Sequence, residues 1–140
     1  MIKTRIILSL LLLSVTLASC DSGDDLREIF LNRTWSLSFF KEGTRITSPS
    51  GNSAYTLKFY DTTFAFTTTN GTTITGEWQA DNKERTFSCS KVRVSNGSIA
   101  GDSIATKAEK FFKNARYYEG DSNFLKIMSQ KNTFMQFHNK

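Results

Sequence analysis

Residues with the chemistry of catalysis or metal binding are few and far apart in this chain. Its 140 residues include one histidine, His138, and two cysteines, Cys20 and Cys89. One histidine and two cysteines are too few for a multi-histidine or a four-cysteine metal site. Glu77, beside Trp78, lacks a second carboxylate at a spacing that would indicate a glycosidase pair. We therefore expect no catalytic residues, no metal and no cofactor.

Glycine patterning and charge argue against two further classes of function. The chain contains neither GxxxxGK[ST] nor GxGxxG, the glycine-rich sequences that bind nucleotide phosphates. Its formal charge of +5 falls to +3 if the first 19 residues, with Lys3 and Arg5, are removed. Such a modest positive charge gives no reason to expect a nucleic acid partner.

The first twenty residues have the pattern of an export signal. Two basic residues precede the apolar stretch of residues 6–17, which is short for a membrane span. The sequence LASC at residues 17–20 resembles the lipobox of bacterial lipoproteins, in which small residues precede a cysteine that receives diacylglycerol. The resemblance implies that residues 1–19 are a signal peptide and that acyl chains on Cys20 anchor the mature protein in a membrane.

The stretch directly after the predicted lipidation site is acidic. Its polar residues are Asp21, Ser22, Asp24 and Asp25. This composition is typical of a flexible, solvated tether, which with its lead-in is expected to cover residues 20–32. Within it, residues 26–32 are expected to form either a short helical turn or an irregular lead-in to the domain. It also resembles the surface-export signal of Bacteroidota lipoproteins, an acidic run just behind the lipidated cysteine. That resemblance implies an outer-membrane protein facing the cell exterior, and the periplasmic face of a membrane is the alternative.

Residues 33–140 are predicted to form one domain. Alternation of apolar and polar residues predicts strands over residues 35–39, 55–59, 64–66, 74–78, 85–90, 124–129 and 133–138. Residues 91–94 either continue the fifth strand or start another. The polar residues 41–53 are expected to form a loop. Asn70-Gly71 predicts a type I′ hairpin turn, in which both central residues have positive φ.

The apolar spacing changes to 3.6 residues between Ile104 and Tyr118. This predicts one amphipathic helix of about four turns, capped by Asp102 or Ser103. The predicted fold class is therefore α+β and mostly β. We expect a curled antiparallel sheet or a small barrel, with the helix before a C-terminal hairpin.

Short sequences along these elements resemble the META domain, a small bacterial envelope domain. They are WSL at 35–37, YTLKF at 55–59, the hairpin N…GEW at 70–78, EKFF at 109–112, FLKI at 124–127 and FMQF at 134–137. The family's Cys-Asn pair is absent, because Thr69 precedes Asn70. A lipocalin-like small barrel from the same class of lipoproteins is the alternative. The META resemblance implies no enzymatic site.

Two functions remain open at this point. One is a non-enzymatic envelope lipoprotein that binds a protein or supports the envelope. The other is a lipocalin-like carrier or inhibitor that accepts an apolar or polymeric ligand in its curled sheet. The aromatic residues that would line such a cavity or fill a core are Trp35, Phe59, Phe64, Phe66 and Trp78. Both roles produce the same alternation, so the sequence does not separate them.

Several serines and threonines could carry glycans or contact a ligand, although ordinary turns and a helix cap also explain them. Asp61-Thr62-Thr63 and Asp102-Ser103-Ile104 resemble the O-glycosylation sequence of Bacteroidota, which implies glycans on Thr62 and Ser103. A turn and a helix cap explain the same residues. The threonines between Thr62 and Thr75 are typical of the polar face of a hairpin. Packing of these threonines against a sugar or ice-like surface is the alternative.

Cys89 has no disulfide partner if Cys20 is acylated. It follows Phe87-Ser88 in an alternating stretch, so we expect a small buried hydrophobic residue rather than a nucleophile. We interpret His138 as a surface residue at the end of a strand.

Overall fold

The structure, a computed structural model, describes residues 23–140. The predicted signal peptide, with Cys20, Asp21 and Ser22, lies outside the described residues. Within them the helices are α1 (Gly23–Phe30) and α2 (Ser103–Lys113). The strands are β1 (Thr34–Glu42), β2 (Arg45–Thr47), β3 (Thr56–Phe59), β4 (Thr63–Thr67), β5 (Thr73–Asp81), β6 (Thr86–Ser95), β7 (Tyr117–Gly120), β8 (Phe124–Gln130) and β9 (Thr133–Asn139).

The nine strands of the described chain form one curled antiparallel sheet. From β3 to β9 each strand pairs with the next, and β1 pairs with both β3 and β9, so the pairing runs in a ring. The ring is not a barrel. β6 and β7 share one residue pair, Thr86 with Tyr117, and α2 packs against β6, β8 and β9 beside this opening. The predicted α+β, mostly β class with a curled antiparallel sheet is confirmed.

The ring has two ends. At the first, the start of β1 lies beside the ends of β3 and β9, as the pairs Thr34–Lys58 and Trp35–Asn139 show. α1 lies at this end, because the carbonyl of Ile29 accepts a hydrogen bond from the Trp35 side chain. We call this the α1 end. At the other end lie the β2–β3 loop, the β4–β5 turn and the segment from β6 to α2. We call it the loop end.

Apolar side chains from both helices and from every strand except β2 fill the ring. In strands such as β3 and β4 alternate residues point inward, as period-two spacing requires. The largest fully buried side chains are Trp35, Tyr118, Phe30, Phe40, Phe59, Phe64, Phe66, Phe87, Phe112 and Phe137.

α1 extends the core beyond the domain start predicted at residue 33. The predicted lead-in of residues 20–32 contains this helix, and Asp24 and Asp25 lie in its first turn. Ile29 and Phe30 are buried, and the Trp35 indole N–H donates to the carbonyl of Ile29 at 3.0 Å. Neither helix in residues 23–140 has the length and apolar character that crossing a membrane requires.

α2 is shorter than predicted. It begins after Asp102, whose side chain accepts a hydrogen bond from the Ala105 N–H, and it ends at Lys113. The predicted last turn is wrong, because Tyr118 lies in β7. The Tyr118 N–H donates to the carbonyl of Arg85 at 3.0 Å, and its side chain is fully buried. Tyr118 is thus a core residue of a short strand whose position happens to fit the 3.6-residue apolar spacing that begins at Ile104.

The connections also differ from expectation at two places. β2 lies inside residues 41–53, predicted as a loop, and pairs with the end of β1. The type I′ turn is wrong, because Gly71 has a φ of +86° whereas Asn70 has no positive φ. The Thr68 N–H donates to the Thr72 carbonyl at 2.8 Å, which encloses a three-residue loop. In such loops a left-handed glycine follows a tight turn.

Candidate functional site

An aromatic cluster fills the interior at the α1 end. The ring centroid of Phe30 lies 4.9 Å from that of Phe59, 4.9 Å from Trp78, 5.6 Å from Phe87 and 5.0 Å from Tyr118. Edge and stacked contacts at these distances are the favourable geometries of aromatic pairs. α1 therefore closes this end of the ring with a packed side chain.

The aromatic residues predicted to line a cavity or fill a core lie in the core. Trp35, Phe59, Phe64 and Phe66 are buried, and Trp78 packs against them half-buried. Phe112 of α2 occupies the space beside β4, with ring centroids 4.7 Å from Phe64 and 5.6 Å from Phe66. In the described part of the chain, the curled sheet thus encloses packed side chains and not a ligand lumen.

The loop end carries a surface cleft of about 480 Å³, which we call the hydroxyl cleft. The β2–β3 loop, the β4–β5 turn and the segment from β6 to α2 meet here. Of its 13 lining residues, eight carry a hydroxyl: Ser50, Ser53, Tyr55, Thr68, Thr69, Thr72, Ser98 and Ser103. Asn70 adds an amide and Asp102 a carboxylate, and the lining contains no lysine or arginine.

Tyr55 and Asp102 form a fixed pair in the hydroxyl cleft. The Tyr55 hydroxyl donates to the Asp102 carboxylate and lies 3.0 Å from both its oxygens. The same carboxylate accepts from the Ala105 N–H at 3.0 Å and so caps α2. Burial, together with the hydrogen bond and negative charge of Asp102, raises the pKa of Tyr55 above its ordinary value. The hydroxyl therefore remains a donor at neutral pH.

Apart from Thr68 and Thr72, which are buried, the remaining polar side chains of the hydroxyl cleft are of two kinds. Some hold the loops together: the Thr69 hydroxyl accepts from the Ala54 N–H and donates to the Ala54 carbonyl, and the Ser98 hydroxyl accepts from the Ala100 N–H. Others are exposed and make no side-chain hydrogen bond within residues 23–140, namely Ser50, Ser53, Asn70 and Ser103. The second kind is available to a ligand.

A second cleft, of about 560 Å³, adjoins the first along α2, and we call it the lysine groove. The residues that line both clefts are Gly101, Asp102 and Ser103. Lys107 forms an ion pair with Glu42 across the lysine groove, and its ammonium lies 6.0 Å from the ring centroid of Phe40. Lys107 and Lys110 balance Glu42 and Asp102, so the charged residues of this groove sum to zero.

The other side chains with the chemistry of catalysis or metal binding lie apart from both clefts. His138 is exposed on β9, with Nδ1 2.6 Å from the Ser38 hydroxyl. Glu77 is partly exposed and pairs with Lys91 at 3.1 Å. Cys89 is half-buried, and burial raises its pKa to about 12, so the thiol is protonated at neutral pH. Within residues 23–140, no group of three or more His, Cys, Asp or Glu side chains is placed to hold a metal ion.

The two predicted glycosylation residues are both exposed but lie at opposite ends of the ring. Thr62 lies in the β3–β4 turn at the α1 end, and its carbonyl accepts from the Trp78 N–H at 3.1 Å. Ser103 lies at the start of α2, where the two clefts meet. A glycan on Ser103 would therefore stand in both clefts.

Sequence reasoning did not predict either cleft. The hydroxyl cleft combines side chains from three connections that span residues 50–104. The signal that was present is the density of serine, threonine and asparagine in these connections, which is equally typical of turns.

This fold resembles that of solved structures from other bacteria. A crystal structure of a DUF4847 family protein from Bacteroides vulgatus ATCC 8482 has a TM-score of 0.62 and 27% sequence identity, covering 81% of this chain and 96% of that one. An NMR structure of a protein from Burkholderia xenovorans has a TM-score of 0.62 at 9% identity, covering 79% and 83%, respectively. The second likeness concerns the fold alone.

Comparison with curated proteins finds no significant match. These comparisons do not confirm the resemblance to the META domain. Residues 21–139 match the family described as Domain of unknown function (DUF4847), and because the match spans most of the chain, the protein belongs to that family.

Proposed function

We propose that this protein is a non-enzymatic binding module of the bacterial envelope, anchored in the outer membrane by acyl chains on Cys20 and facing the cell exterior. The observation that carries the proposal is the position of the two joined clefts. They lie at the loop end, whereas α1, which begins three residues after Cys20, lies at the opposite end.

The short link between Cys20 and α1 favours one orientation on the membrane. Three residues span at most about 11 Å of extended chain, so an acylated Cys20 keeps the α1 end near the lipid surface. β1 runs from Thr34 beside α1 to Glu42 in the lysine groove. A strand of that length spans about 27 Å. The clefts would therefore face away from the membrane, where a ligand reaches them from solution.

The packing of the interior favours surface binding over a carrier function. A carrier of small apolar ligands encloses a cavity of several hundred Å³ lined by hydrophobic side chains. Here the inward-facing aromatic residues contact one another, as Phe30 does with Phe59 and Phe64 does with Phe112. The hydroxyl cleft opens between polar connections on the surface instead.

The anchor is tested in cells that express the wild type, Cys20→Ala and the control Cys89→Ala. We expect the wild type and Cys89→Ala to incorporate a labelled fatty acid and to remain in the outer-membrane fraction. Cys20→Ala should take up no label and leave that fraction after signal removal or remain unprocessed. Fatty-acid incorporation into Cys20→Ala, or its absence from the wild type, would contradict the lipid anchor.

The orientation is tested by treating the same intact cells with a protease. Digestion of the wild type on whole cells is expected if the acidic residues 21–25 direct surface export. Protection until the outer membrane is broken would place the domain on the periplasmic side. In that case the export part of the proposal fails while the anchor remains.

A further inference from the structure

The hydroxyl cleft differs chemically from the clefts at the α1 end. Those clefts contain Arg27, Arg33 and Lys58 in their lining. The hydroxyl cleft has no cationic side chain, and its one charged residue is Asp102. A phosphate, sulfate or carboxylate ligand would meet a negative charge there with no positive charge to offset it.

The polar groups of the hydroxyl cleft are suited to a ligand that both donates and accepts hydrogen bonds. Serine and threonine hydroxyls do both, and the Asn70 amide offers two donors and an acceptor. Asp102 accepts only, and Tyr55 already directs its hydroxyl to that carboxylate. Sugar hydroxyls have this same dual character. Ala100 and Ile104 add apolar surface to the lining, against which the C–H face of a sugar ring can pack.

The cleft is held in place before any ligand arrives. Tyr55 and Asp102 connect the end of the β2–β3 loop to the start of α2, and they are 47 residues apart in the chain. Thr69 connects the β4–β5 turn to Ala54 through two hydrogen bonds of 2.9 and 3.0 Å. A fixed cleft loses less conformational entropy on binding than a mobile one.

The size and continuation of the cleft indicate a chain of sugars rather than one ring. Its volume of about 480 Å³ lies in the range of small-molecule sites. Gly101, Asp102 and Ser103 also line the lysine groove of about 560 Å³, so a chain of sugars that extends past these residues reaches a second cleft. The charges of that groove are balanced, so the extended path does not favour a polyanion.

We infer that the hydroxyl cleft binds a neutral oligosaccharide, with Asn70 and Ser103 among the residues that hydrogen-bond to it. This inference rests on the proposed function, because it names the ligand class of the binding module. It concerns the cleft alone, however, and does not depend on where the protein is located.

The test uses the full chain purified in a detergent without sugar groups. The protein is screened against immobilised neutral oligosaccharides, including hexamers of glucose, xylose, mannose and N-acetylglucosamine, and against uronate-containing and sulfated ones. Affinity for the best neutral oligosaccharide is then measured by titration calorimetry. The variants are Asn70→Ala and Ser103→Ala, and the matched control is Ser88→Ala, an exposed serine on β6 outside the cleft.

We expect binding to at least one neutral oligosaccharide. Each cleft variant should weaken it about fivefold, the effect of one net hydrogen bond, and Ser88→Ala should leave it within about twofold. All three side chains are exposed, so unchanged melting temperatures will show that the variants fold. Binding to acidic glycans alone, no binding to any neutral glycan, or neutral binding that neither cleft variant weakens would each overturn the inference. None of these results bears on the fatty-acid and protease tests of the anchor.

Discussion

The two ends of the ring are closed in opposite ways. At the α1 end, Phe30 enters a cluster of aromatic rings, and the Trp35 indole holds the backbone of α1. At the loop end, polar side chains such as Thr69 bond to neighbouring connections, and the pair of Tyr55 and Asp102 joins a loop to α2. Water is excluded from the aromatic cluster at the first end, whereas polar groups of the hydroxyl cleft at the second end remain in contact with solvent.

This difference assigns most of the stabilisation of the fold to the α1 end and the proposed ligand binding to the loop end. Full burial of a large apolar side chain stabilises a fold by about 1.5–3 kcal/mol, whereas a typical hydrogen bond contributes about 0.5–1.5 kcal/mol net. The α1 end should therefore carry more of the folding free energy. The loop end retains unpaired polar groups on a fixed frame, which is the condition for recognising a ligand.

The largest expected effect is that of Phe30→Ala. Removing a fully buried aromatic ring leaves a cavity among four other rings, which should lower the free energy of unfolding by about 3–5 kcal/mol. Urea unfolding followed by circular dichroism measures this loss. Ile46→Ala is the control, because Ile46 is 61% exposed and its change should stay below about 0.5 kcal/mol. Equal losses in the two variants would show that α1 is not part of the stable core.

A smaller loss is expected at the loop end for Asp102→Ala. The change removes the cap of α2 and leaves the Tyr55 hydroxyl without its acceptor, which should cost about 1–3 kcal/mol. Asp102→Asn keeps an oxygen that can cap the helix, so it should lose less than Asp102→Ala in the same urea experiment. If both variants lose as much as Phe30→Ala, the division between the two ends is wrong.

The strands were predictable because their alternation is local. Residues 55–59 and 124–129 read as strands from their own sequence, and the structure has β3 and β8 there. Elements decided by distant contacts were not predictable. Tyr118 fits a helix face by spacing, yet β7 forms because β8 is available as a pairing partner. α1 is likewise held by a core that its own sequence does not reveal.

The candidate site was predictable only as a set of polar turns. A serine in a turn has the same local pattern whether it faces open solvent or a cleft. What makes a cleft here is the meeting of Ser50, Asn70 and Ser103 from three connections. The hydrogen bond between Tyr55 and Asp102 crosses 47 residues and has no local signature.

Gly71→Ala tests how much of the loop end depends on backbone conformation. Gly71 has a φ of +86°, and an added Cβ would meet no atom within 4 Å, so the cost is backbone strain alone. We expect a loss of about 1 kcal/mol in thermal or urea unfolding. Gly71→Asn should lose less, because asparagine tolerates the left-handed region. A loss in Gly71→Ala as large as that of Phe30→Ala would mean that this turn organises the fold.

The smallest effect is a difference in pH dependence between Cys89, which pairs with Trp78 of the aromatic cluster at the α1 end, and Tyr55 at the loop end. Burial raises the pKa of Cys89 from 9.0 to about 12, so its neutral thiol stabilises the fold fully below pH 9, and this contribution is lost as pH rises from 9 towards about 12. At pH 10 the wild type should have lost about 1 kcal/mol of this stabilisation. Cys89→Ala, which has no thiol, should show no such loss. The pKa of Tyr55 at the loop end is also raised, from 10.0, so Tyr55→Phe should flatten the stability curve only above pH 10. Unfolding free energies of wild type and both variants, measured from pH 8 to 11, should thus diverge first for Cys89→Ala. If the three curves of unfolding free energy against pH are parallel, the fold raises the pKa of neither Cys89 nor Tyr55.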